Sequence, residues 1–158
     1  MVFFRIKKIK GKEYAYVVEN EWKYKGSRQK VRGYLGKVYR FELLNSIDFL
    51  AHFKIDNIND YIEKNEKNKI INDLVEWELF KFGIDKNKFS NKKNAVFFIN
   101  DGFMCNLTLK RLLDFKPEGD EESDGYRLAR AFVEAGVKVP QEVFVGLFSI
   151  LYKTKKQS

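Results

Sequence analysis

Four residues near the N-terminus have the types and the spacing to contact a polyanion. Arg28, Lys30 and Arg32 occupy every second position, and Tyr34 continues the series. Side chains two residues apart along a strand project from the same side, so we expect these four on one face. Lys and Arg contact phosphate groups, and flat aromatic rings stack on unpaired bases. The pattern therefore predicts contact with a nucleic acid, either DNA or RNA.

The positive charge of the chain is concentrated around these residues. Residues 1–40 contain 12 Lys and Arg against 3 Asp and Glu, a net charge of +9, whereas residues 41–158 contain 18 against 19, a net charge of −1. A localised excess is typical of a face that binds a polyanion, whereas a uniform one bears only on solubility. We expect four further cations to extend the phosphate contacts: Arg5, Lys7, Lys23 and Lys25.

The elements that must position these side chains are three short strands. Residues 2–9 alternate imperfectly between apolar and polar, residues 13–24 are rich in Tyr, Val and Trp, and residues 28–35 alternate cleanly. Turns are indicated at 10–12 and 25–27, and Gly33 and Gly36 indicate a bend or bulge near the end of the third strand. These signals predict a three-stranded antiparallel sheet, which is too small to be stable without packing on another element.

The period of the apolar residues changes after residue 40 and predicts a mostly helical body. Helices are expected over 43–53, 58–82, 109–115, 126–135 and 141–152, with a loop at 84–94 and an acidic loop at 118–124. The interval 63–69 is either an exposed helix face or a loop that splits the second helix. One short strand is expected at 95–99, followed by a turn at 100–102. The predicted fold is α+β, with a basic β module at 1–40 and a helical body at 41–158.

Few residues elsewhere support catalysis or metal binding. One histidine, His52, and one cysteine, Cys105, cannot supply a four-ligand zinc site, and His52 lies in an apolar stretch typical of a core. No phosphate-binding glycine motif occurs. A small metal-dependent nuclease would need clustered carboxylates, for which the candidates are Glu76, Glu78 and Asp101. We predict no catalytic residue, metal or cofactor, and keep the nuclease as an alternative.

The segment 141–152 leaves a second alternative open, because it is apolar almost all round. Such a helix lies centrally in a core or is covered by a partner, so an assembly or adaptor protein, or a homodimer, is the other prediction. No segment has the length and apolarity of a membrane span or the order of a signal peptide, so we expect a cytoplasmic protein with no membrane contact.

Residues 4–39 resemble the N-terminal segment of DDE-type insertion-sequence transposases. Those segments have a strand, a turn, a Tyr-rich strand, a glycine turn and then a basic strand. The matching residues are Tyr14, Tyr16, Val18, Gly26, Arg28, Gln29, Val31, Tyr34, Leu35 and Gly36. The resemblance implies a basic sheet module that engages DNA. No spaced acidic triad follows it, so transposition is not implied. The resulting prediction is a non-catalytic nucleic-acid-binding protein.

Overall fold

The fold is built around one mixed sheet that extends beyond the strands expected from the sequence. The computed structural model describes residues 2–87 and 94–157, without the side chains of Lys23 and of residues 153–157. The strands lie in chain order across the sheet, antiparallel except for the parallel pair β3 and β4. They are β1 (Val2–Ile9), β2 (Lys12–Lys23), β3 (Gly26–Arg40), β4 (Ala95–Ile99) and β5 (Gly102–Met104). The α+β class is confirmed, but the predicted three-stranded sheet is wrong, because β4 and β5 extend it to five strands.

Two tight turns match their sequence signals. Lys10 and Gly11 both have positive φ and join β1 to β2 as a two-residue loop. Asn100 and Asp101, at φ 51° and 59°, join β4 to β5 in the same way. Two central residues with positive φ are the signature of the hairpin turn whose twist matches that of the strands. The strand after the second turn was not expected, since three residues are too few to show alternation.

Two bulges interrupt the pairing of β2 with β3. Val18 pairs with Val31 but Val17 pairs with Gly33, and Tyr16 pairs with Tyr34 but Ala15 pairs with Gly36. β3 therefore carries one extra residue at Arg32 and another at Leu35. The bend or bulge indicated by the two glycines is confirmed. Each extra residue inverts which side of the sheet the following residues occupy.

The parallel pairing of β3 with β4 depends on Gly36. Its φ is +146°, and a Cβ there would lie 2.0 Å from the carbonyl oxygen of Asn94. The next residue, Lys37, donates its backbone N–H to that oxygen at 3.0 Å. A glycine lets the two backbones approach closely where the ladder begins. The strands of the predicted N-terminal module and of the predicted body thus share one sheet.

The first half of the body differs from the helices predicted there. The expected helix over 43–53 is wrong except for α1 (Phe49–His52), whose N-cap Asp48 accepts from two backbone N–H groups at 3.1 and 3.4 Å. The expected long helix is split at residues 65–66 into α2 (Ile58–Lys64) and α3 (Lys67–Lys81). The Asn57 side chain caps α2, as its sequence indicates. The predicted loop at 84–94 lies partly outside the described residues.

The second half contains α4 (Asn106–Leu113), α5 (Glu121–Glu134) and α6 (Gln141–Gln157). The acidic loop expected at 118–124 is wrong in its second half, which forms the first turn of α5. Asp124 is buried there, and its carboxylate accepts the backbone N–H groups of Glu118 and Gly119 at 2.9–3.0 Å. Acidic residues favour the positive end of the helix dipole, which explains a helix start inside a polar run.

Core residues cover both sides of the sheet near β4. The larger core joins all the helices from α1 to α6 to one side through Ala95, Phe97 and Ile99. A smaller cluster on the other side comprises Ala15, Val38, Val96 and Cys105, packed with Ile6, Leu35, Phe98, Phe103 and Leu107. Neither cluster includes a residue between 19 and 34. The part of the β2–β3 hairpin beyond β1 therefore projects from the body as a two-stranded arm, residues 20–29.

Candidate nucleic-acid interface

The bulges divide the side chains of β1, β2 and β3 into two faces of opposite character. Register places Tyr14, Tyr16 and Tyr34 on one side, together with the side chains that pair beside them. We call this the tyrosine face, consisting of Phe3, Arg5, Lys7, Lys12, Tyr14, Tyr16, Val18, Val31, Tyr34 and Lys37. It contains no acidic residue. It lies on the same side as the larger core, beyond the part that the helices cover.

The three tyrosines form one cluster in this face. The Tyr34 ring lies 5.4 Å from that of Tyr16 and 6.4 Å from that of Tyr14. Tyr34 is 49% exposed, so much of its ring is accessible to a ligand. Desolvation, together with the adjacent Tyr16 and Tyr14, raises the pKa of Tyr34 above its usual value. Tyr34 therefore presents a neutral ring and hydroxyl group at physiological pH.

Cations are interleaved with the rings of the tyrosine face. The Lys7 ammonium lies 5.2 Å from the centre of the Tyr16 ring, and Lys37 lies 5.3 Å from the centre of Tyr39. Arg5 donates to the side-chain oxygen of Gln29. Among the described residues, none of these three cations is in an ion pair with a carboxylate. Their charge is therefore available to an external anion.

The opposite side of the same strands holds the acidic residues, and we call it the ion-pair face: Glu13, Glu19, Glu21, Lys30, Arg32 and Arg40. Glu13 accepts two hydrogen bonds from Arg40 at 2.7 and 2.9 Å, which lower the pKa of that carboxyl below its usual value. Glu19 is paired with Arg32, and Glu21 lies 3.6 Å from Lys30. All three acidic residues of the first forty are thus on this face.

The structure separates the side chains that the sequence was expected to place together. Lys30 and Arg32 lie on the ion-pair face, as does Arg28, which is opposite Glu21 in the strand register. Tyr34 lies on the tyrosine face, so the prediction of one common side is wrong. The reason is the extra residue at Arg32, which inverts the alternation before Tyr34 is reached.

The four other predicted contacts are also divided. Arg5 and Lys7 belong to the tyrosine face, and Lys25 is exposed in the turn at the tip of the arm. The backbone of Lys23 ends β2, but its side chain lies outside the described residues. Tyr14, Tyr16 and Lys37 were missed as site residues. Gly33 and Gly36 carry the signal that could have found them, since the extra residue just before Gly33 brings Tyr34 opposite Tyr16.

The three carboxylates considered for a nuclease, Glu76, Glu78 and Asp101, do not form a common metal-binding group. Glu78 is fully buried, where its carboxylate lies 3.2 Å from the Lys81 ammonium and accepts from the Asn100 amide at 2.8 Å. It also accepts the backbone N–H of Lys138 at 3.0 Å. These bonds tie α3 to the β4–β5 turn and to the segment before α6. Within residues 2–87 and 94–157, no group of three His, Cys, Asp or Glu is placed to hold a metal ion.

Helix α6 packs much of its apolar surface inside the chain. Val143, Leu147 and Leu151 are buried in the larger core, and Phe144 and Phe148 stack against one another beside it. This packing accounts for the apolar sequence, while a docked partner stays a prediction. His52 packs against the rings of Phe53 and Phe80, each at 4.6 Å, consistent with a packing role. None of the described helices combines the length and apolarity needed to cross a bilayer.

Comparison with known proteins does not assign the chain to a family. No protein-family model, curated protein or solved structure matches the chain. The transposase resemblance of residues 4–39 therefore stays a prediction, and the functional argument depends on the two faces of the sheet.

Proposed function

We propose that the protein is a non-catalytic nucleic-acid-binding protein whose contact surface is the tyrosine face. The observation that carries the proposal is the segregation of charge between the two sides of one sheet. All three carboxylates among residues 1–40 are on the ion-pair face, whereas the tyrosine face has cations and no acid. A polyanion approaching the tyrosine face meets attraction without local repulsion.

The spacing of rings and cations suits a sugar-phosphate chain with accessible bases. Arg5, Lys7 and Lys37 are the proposed phosphate contacts, because they flank the tyrosine cluster and have no carboxylate partner in the described part of the chain. Tyr34 is the proposed stacking residue, since it is the most exposed ring of the cluster. Base–aromatic stacking contributes about 1–3 kcal/mol per base. The rings would thus contact the bases of such a ligand, and the cations would contact its phosphates.

The cations of the ion-pair face have a lesser role in this proposal. Lys30 and Arg32 are engaged with Glu21 and Glu19, so binding a phosphate there requires a competing carboxylate to be displaced. Arg28 and Lys25, on the arm, form no ion pair with a carboxylate among the described residues. They extend the phosphate contacts beyond the tyrosine face.

Two variants with the same change in net charge test which face binds. Replacing Arg5, Lys7 and Lys37 by Gln should weaken binding to DNA and RNA oligonucleotides more than replacing Arg28, Lys30 and Arg32 by Gln. The first variant should also flatten the dependence of log affinity on log salt, by about 0.7 for each phosphate of a single strand that the protein no longer neutralises. Affinity is measured by titration at several salt concentrations, and unfolding curves check that both variants are folded.

The proposal fails if the parent protein binds neither DNA nor RNA, single- or double-stranded, at low salt. It also fails in its choice of surface if the two triple variants reduce affinity equally. In that case binding would follow net charge alone, and the position of the rings would be irrelevant.

A further inference from the structure

The arm carries the most exposed aromatic side chains of the described chain at its tip. Trp22 is 86% exposed, and Tyr24, in the turn that follows β2, is fully exposed. A large ring left in water has no stabilising contacts, and exposed aromatic residues beyond what a fold needs mark interaction sites. Trp77, the other tryptophan, is 6% exposed and donates its indole N–H to the carbonyl of Ile47 at 2.8 Å. Trp77 serves the fold, whereas Trp22 does not.

Trp22 lies on the same side of β2 as the tyrosine cluster. β2 has no extra residue of its own, so residues 14, 16, 18, 20 and 22 face one way. Trp22 is six residues from Tyr16, about 20 Å along the strand at about 3.3 Å per residue. Between them, Asn20 pairs across the arm with Gln29. The Asn20 amide carries both donors and an acceptor, which suit the edges of unpaired bases, whereas the Gln29 oxygen already accepts from Arg5.

The charge around Trp22 selects a polyanionic occupant. No acidic side chain occurs on its side of the arm; Lys25 lies in the turn at the tip, whereas Arg28 projects from the opposite side. Two stacking platforms about 20 Å apart, with Arg5, Lys7 and Lys37 around the first and Lys25 near the second, fit a single strand, whose bases are free to leave their neighbours. A duplex keeps its bases stacked on one another, so no base face is free to stack on Trp22.

We infer that the ligand is single-stranded nucleic acid, and that Trp22 stacks on one of its bases while the tyrosine cluster holds another part of the same strand. The inference depends on the proposed function and makes it more specific. A strand bound in this way runs along β2, from the tyrosine cluster to the tip of the arm.

Trp22 supplies its own optical signal for a test. The full chain is titrated with an oligothymidylate and an oligouridylate of about 12 nucleotides, and with a mixed-sequence DNA duplex of the same length. Stacking of a base on Trp22 should quench tryptophan fluorescence with the single strands and far less with the duplex. The Trp22→Phe variant should still bind but show no quenching, which assigns the signal to Trp22 and not to Trp77.

Affinity is measured separately by competition. Trp22→Ala should weaken single-strand binding about 5-fold or more, and duplex binding little. The matched control is Tyr126→Ala, since Tyr126 is a 68% exposed ring on α5, outside the sheet. That variant should bind as the parent does.

The outcomes distinguish this inference from the proposed function. If oligonucleotides bind without quenching, or the duplex binds as tightly as the single strands, the single-strand inference is wrong and the proposed function stands. If vesicles containing anionic phosphatidylserine shift the Trp22 emission while oligonucleotides do not, the tip contacts a membrane surface and the inference is overturned. If nothing anionic binds, both are wrong.

Discussion

At the scale of single residues, two buried carboxylates hold the helical body together through several donors each. Glu78 connects α3 to two other segments, and Asp124 connects the start of α5 to α6. A buried carboxylate is stable only when hydrogen bonds replace the water that it has lost. Asp124 accepts from the Tyr152 hydroxyl, from two backbone N–H groups and from Arg127 at 3.0 Å. Because these donors stabilise the charged carboxylate, protonation of Asp124 should destabilise the folded state.

The pH dependence of stability follows from Asp124. The Tyr152 hydroxyl is the largest cause that lowers the pKa of Asp124 from 3.8 to about 2, with smaller effects of the N–H groups and Arg127. A carboxyl whose pKa falls on folding stabilises the folded state fully above its unfolded value, and this contribution is lost as the pH falls from 3.8 toward about 2. Tyr152→Phe should therefore lower the free energy of unfolding at neutral pH and make it less dependent on pH in that acidic range.

Urea unfolding curves from neutral pH down through this range measure the effect. Tyr126→Phe is the control, because Tyr126 is an exposed tyrosine on α5. If both variants changed the dependence of the free energy of unfolding on pH equally, the Tyr152 hydroxyl would not be what lowers the pKa of Asp124.

At the scale of elements, the sequence predicted the strands and turns better than the register that joins them. Alternation and turn residues locate β1, β2, β3 and β4, because these signals are local. The face of Tyr34 could not be predicted from alternation, since it depends on two extra residues whose positions are defined only by pairing with β2. Residues 43–48 look helical by spacing, yet Leu44 and Asn45 donate their N–H groups to the Lys81 carbonyl. A tertiary contact outweighed local propensity there.

Gly36 offers a test of how the sheet is joined to the body. Gly36→Ala should reduce the free energy of unfolding by about 1–3 kcal/mol, because the new Cβ overlaps the Asn94 carbonyl. Gly33→Ala is the matched control, since no atom lies within 4 Å of a Cβ at that position. Its effect should be within about 1 kcal/mol. Equal effects in denaturant unfolding would show that the close approach at Gly36 is not needed.

At the scale of the whole molecule, a nearly neutral body supports a cationic sheet with a projecting arm. The charge of +9 in residues 1–40 against −1 elsewhere gives the molecule a positive end. Such a field orients an approaching polyanion and raises the association rate at low salt. Charge composition located this end correctly, but only the pairing of strands shows which of its sides is free of acid.

The arm should be separable from the fold. Replacing residues 20–29 by an Asn-Gly turn between Glu19 and Lys30 removes Trp22 and the tip but no core residue. The free energy of unfolding should change by less than about 1 kcal/mol, because loop-closure entropy varies slowly with length. Binding to single strands should weaken but persist through the tyrosine face. Denaturant unfolding and oligonucleotide competition measure the two effects, and a shortened chain that no longer unfolds cooperatively would contradict the separation.

The second bulge in β3 reverses the effect of the first on the alternation of side chains between the two sides of the sheet. Before Arg32 and after Leu35, even-numbered residues such as Lys30 and Val38 occupy the same side of the sheet. Only between the two bulges do even-numbered residues project from the other side, and Tyr34 lies in this short interval. A tyrosine is thus transferred to the other side without displacing Val38 from its cluster. Insertions and deletions in this stretch are consequently compatible with the core only in compensating pairs.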